Sequence, residues 1–215
     1  MLCRQSIAIA VFVLTAASLS SADKTEPKEE ALPATEPKGV PLELKIINAA
    51  LEPYDVDPRG EPMYKFQEKI RQAEQGGLLM HPTYVEMFLE ITNTGSAALD
   101  IWVGGDLTAL TLDLKGNGAR SAARKPPVLN DFIAPKSIKI PAGKSHRIPL
   151  PALASGIRNE EKFSYVTEPG LYWLSATFRT GVSPAPKGTT KQLKNGFGEV
   201  LLKSAPLGFR AVRPS

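Results

Sequence analysis

Histidines, a serine beside one of them, and clustered carboxylates are the residues that would have to converge for this chain to do chemistry, and their spacing is unfavourable wherever they occur. His81 and His146 are the only two histidines, and neither has a carboxylate or a second histidine at a spacing used by zinc sites. Asp55, Asp57 and Glu61 form the densest group of oxygen ligands, but the EF-hand loop pattern is missing and solvated turn acids account for them. No metal is expected. Ser145 and His146 are adjacent, so in a strand they point to opposite faces and cannot pair as nucleophile and base. A Gly-x-Ser-x-Gly turn is absent. Carboxylates such as Asp113 and Glu168 would need an apolar pocket to act as an acid and base pair, and no acidic residue stands in such a setting. The expectation is a non-catalytic protein without a cofactor.

Binding chemistry is better represented, in two long basic segments read as loops. Lys115 to Lys136 holds Lys115, Arg120, Arg124, Lys125 and Lys136 against one acid, Asp131. Arg179 to Phe197 holds Arg179, Lys187, Lys191 and Lys194 and no acid, with prolines in Ser183-Pro184-Ala185-Pro186-Lys187-Gly188 limiting its freedom. Loops over a rigid scaffold are the usual place for binding. Arg179, Lys187, Lys191 and Lys194 are therefore the candidate ligand-binding residues. The residues name no partner by themselves; an anionic envelope polymer and an exported protein are the two candidates. Charge rises along the chain in the same sense: residues 23–93 carry 14 acidic and 8 basic groups, residues 94–168 carry 7 and 10, and residues 169–215 carry 1 and 7.

The elements that would position these residues are mostly strands. Leu42-Glu43-Leu44-Lys45-Ile46 alternates and opens the fold. Met63, Phe66, Ile70 and Ala73 then recur at helical spacing after Pro62, and Gly76-Gly77 ends the helix, which is expected to cap one open end of the sandwich. From Thr83 to Asn93, Val85, Met87, Leu89 and Ile91 share one face. Asn93-Thr94-Gly95-Ser96 reads as a hairpin turn, with Leu99 to Val103 as the return strand. Leu110, Leu112 and Leu114 mark another strand. Ile138 to Leu150 reads as a short hairpin around Pro141-Ala142-Gly143-Lys144, and Gly198 to Ser204 and Leu207 to Val212 close the sheet. Between them, the Pro169-Gly170 turn feeds a strand in which Tyr172, Leu174, Ala176 and Phe178 share one face and Trp173, Ser175 and Thr177 the other. Gly170 and Tyr172 are read as a structural corner, with the tyrosine hydroxyl returning to upstream backbone. Short strands without βαβ alternation, and a single helix, give a mainly β protein: an immunoglobulin-like antiparallel β-sandwich with one short inserted helix.

The ends add a location. Arg4, an apolar run from Ile7 to Leu19 and the small residues Ser20-Ser21-Ala22 read as a secretory signal over residues 1–22, and no later segment has the ~18 apolar residues of a membrane span. Residues 23–41, rich in Glu, Lys, Pro and Ala, read as a disordered linker, and 42–215 as the sandwich domain. Cys3, the one cysteine, falls inside the signal, so the mature chain must be held by its core without disulfides. A secreted or periplasmic location is expected.

Glu90-Ile91-Thr92-Asn93-Thr94-Gly95, Pro141-Ala142-Gly143-Lys144 and Pro169-Gly170-Leu171-Tyr172-Trp173-Leu174-Ser175-Ala176 together resemble the skeleton of a family of exported bacterial immunoglobulin-like β-sandwich domains. The resemblance spans Leu42 to Val212 and implies the fold and export, with a structural, adhesive or ligand-binding role at the cell envelope. The three turn motifs are more weakly similar to the bacterial intracellular proteinase inhibitor family, which implies protease inhibition as the alternative; no segment here matches an inhibitory loop, and the export signal departs from that family's setting.

Overall fold

Alternation of apolar with polar residues commits most of this chain to strands, and what remains to be decided is which strands pair. The computed structural model describes residues 39–56, 61–77, 80–124, 131–157, 160–187 and 189–213, the side chains of Arg124, Ile157 and Lys194 excepted. The expected signal and all but the last residues of the linker lie outside that range, as do Asp57 and Lys125. In chain order the elements are β1 (Leu42–Asn48), β2 (Tyr54–Asp55), α1 (Met63–Glu74), β3 (Tyr84–Asn93), β4 (Leu99–Gly104), β5 (Ala109–Gly116), β6 (Ala119–Arg124) and β7 (Lys136–Ile140). They continue with β8 (Ser145–Ala152), β9 (Ala154–Ile157), β10 (Glu160–Val166), β11 (Gly170–Ser183), β12 (Lys191–Gln192), β13 (Gly198–Lys203) and β14 (Leu207–Val212). No helix among the described residues is long and apolar enough to cross a membrane.

A small antiparallel sheet, β1–β3–β8, packs on a large one organised around β11. Tyr172 to Leu174 of β11 pair with β5 on one edge and β14 on the other, and Phe178 and Arg179 pair with β5 and β13. β13 and β14 thus lie end to end along one edge of β11. Where Ala205-Pro206 interrupts that edge, the Ser204 hydroxyl accepts from the Ala176 amide at 2.9 Å, and the Ser204 amide donates to the Ala176 carbonyl at 2.9 Å. A side chain replaces the ladder acceptor that the break removes. The inner faces meet in one core, with Leu44, Ile46, Val85, Met87, Leu89 and Ile91 from the small sheet and Leu112, Leu174, Ala176, Phe178, Val200, Leu202 and Phe209 from the large one. The result is a mainly β sandwich of two sheets with one helix.

Two of the expected hairpins are crossovers instead. β3 pairs with β1 and β8, whereas β4 pairs with β7 and β11, so the Asn93 to Ser96 turn carries the chain from one sheet to the other. Pro141 to Lys144 likewise joins β7 in the large sheet to β8 in the small one. Both crossovers are fastened by Asn93, which is fully buried. Its Nδ2 donates to the Ala97 carbonyl at 2.8 Å and the Ile140 carbonyl at 3.0 Å, its Oδ1 accepts from the Gly95 amide at 2.9 Å, and its carbonyl accepts from the Gly143 amide at 2.9 Å. Turn residues signal a reversal of direction; they carry no information about which strand is met next.

The segment read as a loop from Lys115 to Lys136 contains β6, and the connection before the Tyr172 strand contains β9 and β10. β6 pairs with β10 and β10 with β9, extending the large sheet beyond β5. The helix lies on this extension instead of capping the sandwich: Phe66, Ile70 and Ala73 pack with Ala122 of β6 and Tyr165 of β10 in a second, smaller core. The small Ala122 leaves room for the helix. Gly76, at φ 91°, and Gly77 end α1 by donating to Ala73 at 3.1 Å and Gln72 at 2.9 Å, a Schellman arrangement that needs the positive φ.

The corner before β11 is closed by Tyr172. Its hydroxyl donates to the Glu168 carbonyl at 2.6 Å, and its ring stacks on Phe209 with centroids 5.6 Å apart. Gly118 passes so close that a Cβ there would lie 2.5 Å from the Tyr172 hydroxyl oxygen, so the corner requires glycine. On the free edge of the small sheet, β8 carries Pro149 and Pro151, two positions with no amide to offer.

Two outcomes follow from these contacts. Asn93→Ala leaves several buried carbonyl and amide groups unpaired and is expected to lower stability by about 2–4 kcal/mol in urea unfolding. The Tyr165 hydroxyl, whose pKa burial pushes up to about 12 and which donates to the Met80 carbonyl at 3.0 Å, is held neutral in the folded chain. Its folded pKa lies above the unfolded one, so its contribution is complete below pH 10 and lost between pH 10 and about 12. Over that window the native protein should lose more stability than Tyr165→Phe, measured by denaturant midpoints.

Candidate ligand-binding face

β11 divides its side chains between two environments. Tyr172, Leu174, Ala176 and Phe178 enter the core, and Leu171, Trp173, Ser175, Thr177 and Arg179 line the outer face of the large sheet. Leu171 is 61% exposed and Trp173 48% exposed, in a strand whose other large apolar residues are buried. The indole is flanked by Lys115 of β5 on one side and Gly208 of β14 on the other. A Cβ on Gly208 would lie 3.8 Å from Trp173 Nε1, so the missing side chain leaves the ring beside bare backbone. The same face carries Arg210 opposite Leu171, Asp113 opposite Ser175, Thr111 and Lys203 opposite Thr177, and Leu201 opposite Arg179. This face carries one indole, Leu171 and Leu201, small hydroxyls, and Lys115, Lys203, Arg210 and Arg179 against Asp113, with Glu199 at its margin.

The four candidate loop residues do not form one patch. Arg179 belongs to β11, on the outer face, with its guanidinium 3.7 Å from the Glu199 carboxylate. Lys191, in β12, sits in register with that same Glu199, to which Thr190 also donates. Lys187 is exposed in the turn closed by the Thr189 amide donating to the Pro186 carbonyl at 3.1 Å. Lys194 begins a 3-10 turn, and its side chain lies outside the described residues. The segment is pinned to the sheet by Phe197, which stacks on Trp102 with centroids 4.7 Å apart. Trp102 in turn covers Gly181, where a Cβ would come within 2.4 Å of its ring. Glu199, the one acid counted in residues 169–215, falls two residues beyond the 179–197 segment and meets it through the pairing of β12 with β13. Leu171 and Trp173, by contrast, could have been found from alternation: large apolar residues on the face opposite a buried Tyr-Leu-Phe set have no core to enter.

The residues considered for chemistry are scattered. Asp113 is exposed on the outer face, and Glu168 accepts from Asn117 Nδ2 at 2.7 Å. Ser145 bonds Thr92 across the strands at 2.8 Å while His146 stands in register with Ile91. His81 lines a cleft of about 210 Å³ with Tyr54, Asp55, Met80 and Tyr84. A larger depression of about 350 Å³ beside α1 is walled by charged groups, among them Arg71, Arg120 and Glu74. There Arg71 holds Glu68 in two hydrogen bonds of 2.9 and 2.7 Å, which with a third from Gln72 bring that carboxyl down to about 2. No group of three His, Cys, Asp or Glu residues able to hold a metal occurs among the described residues.

No protein-family model and no curated protein matches the chain. A solved structure, the ASH / PapD-like domain of human CEP192 (PapD-like domain 7), aligns over 94% of this chain and 100% of that one at 11% identity, with a TM-score of 0.26. At that score the likeness says nothing further about this chain.

Removing the Phe197 ring should free the 184–197 segment while the sandwich stays folded. Phe197→Ala is expected to be cut by trypsin after Lys187 and Lys191 about tenfold faster than the native protein under native conditions. Equal rates would mean that the stack does not hold the segment.

Proposed function

We propose that this protein is an exported, non-catalytic binding module with an adhesive or ligand-binding role at the cell envelope, and that it meets its ligand with the outer face of β11. The single observation behind this reading is Trp173: a half-exposed indole on an uncovered sheet face, bordered by lysine and arginine. Leu171 on the same face extends the indole into a contiguous apolar patch rimmed by polar residues, which is how binding surfaces differ from singly exposed apolar side chains. The loop first considered is the weaker candidate, because Arg179 and Lys191 both answer to Glu199. Export is supported by the apolar run from Ile7 to Leu19 with small residues after it. The absence of catalysis is supported by the setting of the acids: Asp113 lies in water and Glu168 is tied to Asn117, so neither has the dry surroundings of an acid catalyst.

Co-sedimentation of the purified protein with insoluble envelope polymer tests the face against the loop. Trp173→Ala and Arg210→Glu should each weaken binding about tenfold or more, about 1.4 kcal/mol, with melting temperature little changed. Lys187→Glu with Lys191→Glu should bind as the native protein does. The reverse pattern would return the site to the loop, and retention by all variants would remove the proposal.

A further inference from the structure

We infer that the ligand of this face is a carboxylate-bearing polysaccharide, bound as an extended strand along β11 with one sugar ring on Trp173 and its acid groups reaching Arg210 and Lys203. This rests on the reading above and gives it a ligand class. The face is long and shallow, because a sheet surface offers no pocket, which suits a polymer better than a small molecule. Strand rise places the Leu171–Arg210 row ~7 Å to one side of Trp173 and the Thr177–Lys203 row ~13 Å to the other, so cations stand on both sides of the indole along the strand axis. A ring stacked on the indole would therefore have positive charge ahead of it and behind it.

Between the indole and the Lys203 row stand Ser175 and, opposite it, Asp113, the one acid on this stretch, which is outnumbered by Lys115, Lys203 and Arg210; Ser175, Thr177 and Thr111 are small hydroxyls that can both donate to and accept from sugar hydroxyls without standing above the sheet. The cations argue against a neutral glycan. The single indole argues against a single-stranded nucleic acid, since such binders stack successive bases on several aromatic side chains, and no other aromatic side chain lies on this outer face among the paired residues of β5, β11, β13 and β14. A polyphosphate or poly(glycerol phosphate) chain would satisfy the cations but would have no ring to lay on Trp173.

Tryptophan emission reads the proposed contact directly. The chain has two tryptophans; Trp102 is 8% exposed and stacked on Phe197, so Trp173 reports the outer face. Titration with oligogalacturonate should shift emission to the blue, protect it from acrylamide and weaken with added salt. The same oligomer with its carboxylates reduced to alcohols should bind about tenfold more weakly or worse, as should Lys203→Glu and Arg210→Glu with oligogalacturonate. Trp173→Phe should keep part of the affinity that Trp173→Ala loses. Equal binding of oligogalacturonate and poly(glycerol phosphate) without an emission shift would overturn the inference in favour of charge alone, and tighter binding of oligothymidylate would replace it with a nucleic-acid surface. Failure of oligogalacturonate to bind would also overturn it; in that case loss of envelope binding by Trp173→Ala would show that the face still serves another ligand, and its retention would remove both readings.

Discussion

Everything else in the sandwich depends on one buried amide. Asn93 stands where the chain leaves the small sheet, and its side chain bonds Ala97, Ile140 and Gly95 while its own carbonyl takes the Gly143 amide. These contacts fasten the outgoing crossover at 93–99 to the returning crossover at 140–145. Two sheets can slide over one another at little cost, because apolar contact is non-directional. Hydrogen bonds in a dry interior are directional and expensive to leave unmade. Asn93 therefore fixes how the sheets are placed, and the inner residues of β3, β8 and β11 interdigitate within that placement.

β11 shows how one strand can hold a fold together and still be available to a ligand. Its inward residues place Tyr172 against Phe209 and send the phenol back to Glu168, so the strand cannot shift without breaking the corner. Because side chains alternate, the same constraint fixes Trp173 on the outside. Rigid backbone beneath an exposed aromatic lowers the ordering cost of binding. The break at Ser204 to Pro206 splits the partner edge into β13 and β14, and the serine hydroxyl keeps the ladder satisfied there. Lys203 and Arg210 reach the face from opposite sides of that break.

Alternation made β1, β3, β5, β11, β13 and β14 legible in the sequence, and the stripe of Phe66, Ile70 and Ala73 did the same for α1. Pairing was not legible. Asn93 to Ser96 and Pro141 to Lys144 have the composition of hairpin turns, yet each joins different sheets, because the choice of partner is made by burial of whole faces and not by the turn. β6 was missed for a related reason: Ala119-Arg120-Ser121-Ala122-Ala123-Arg124 has little strand propensity, and it is a strand because β10 pairs with it while α1 rests on Ala122. The helical stripe by itself does not say which surface it covers, because Ala122 and Tyr165, on which it rests, belong to strands that carry little local signal. Among the candidate residues, Arg179 stands on the outer face of β11, and the residues beside it there come from β5 and β13, out of reach of any local window.

Pro149 and Pro151 bear on what happens when many copies of this chain are held close together. A strand edge normally invites another strand, and local concentration strengthens the invitation. Two positions on β8 have no amide with which to accept it, so crowding along that border does not become sheet-to-sheet growth. A second strand laid along β8 would meet a ladder with two rungs missing, and the pairing would stop there.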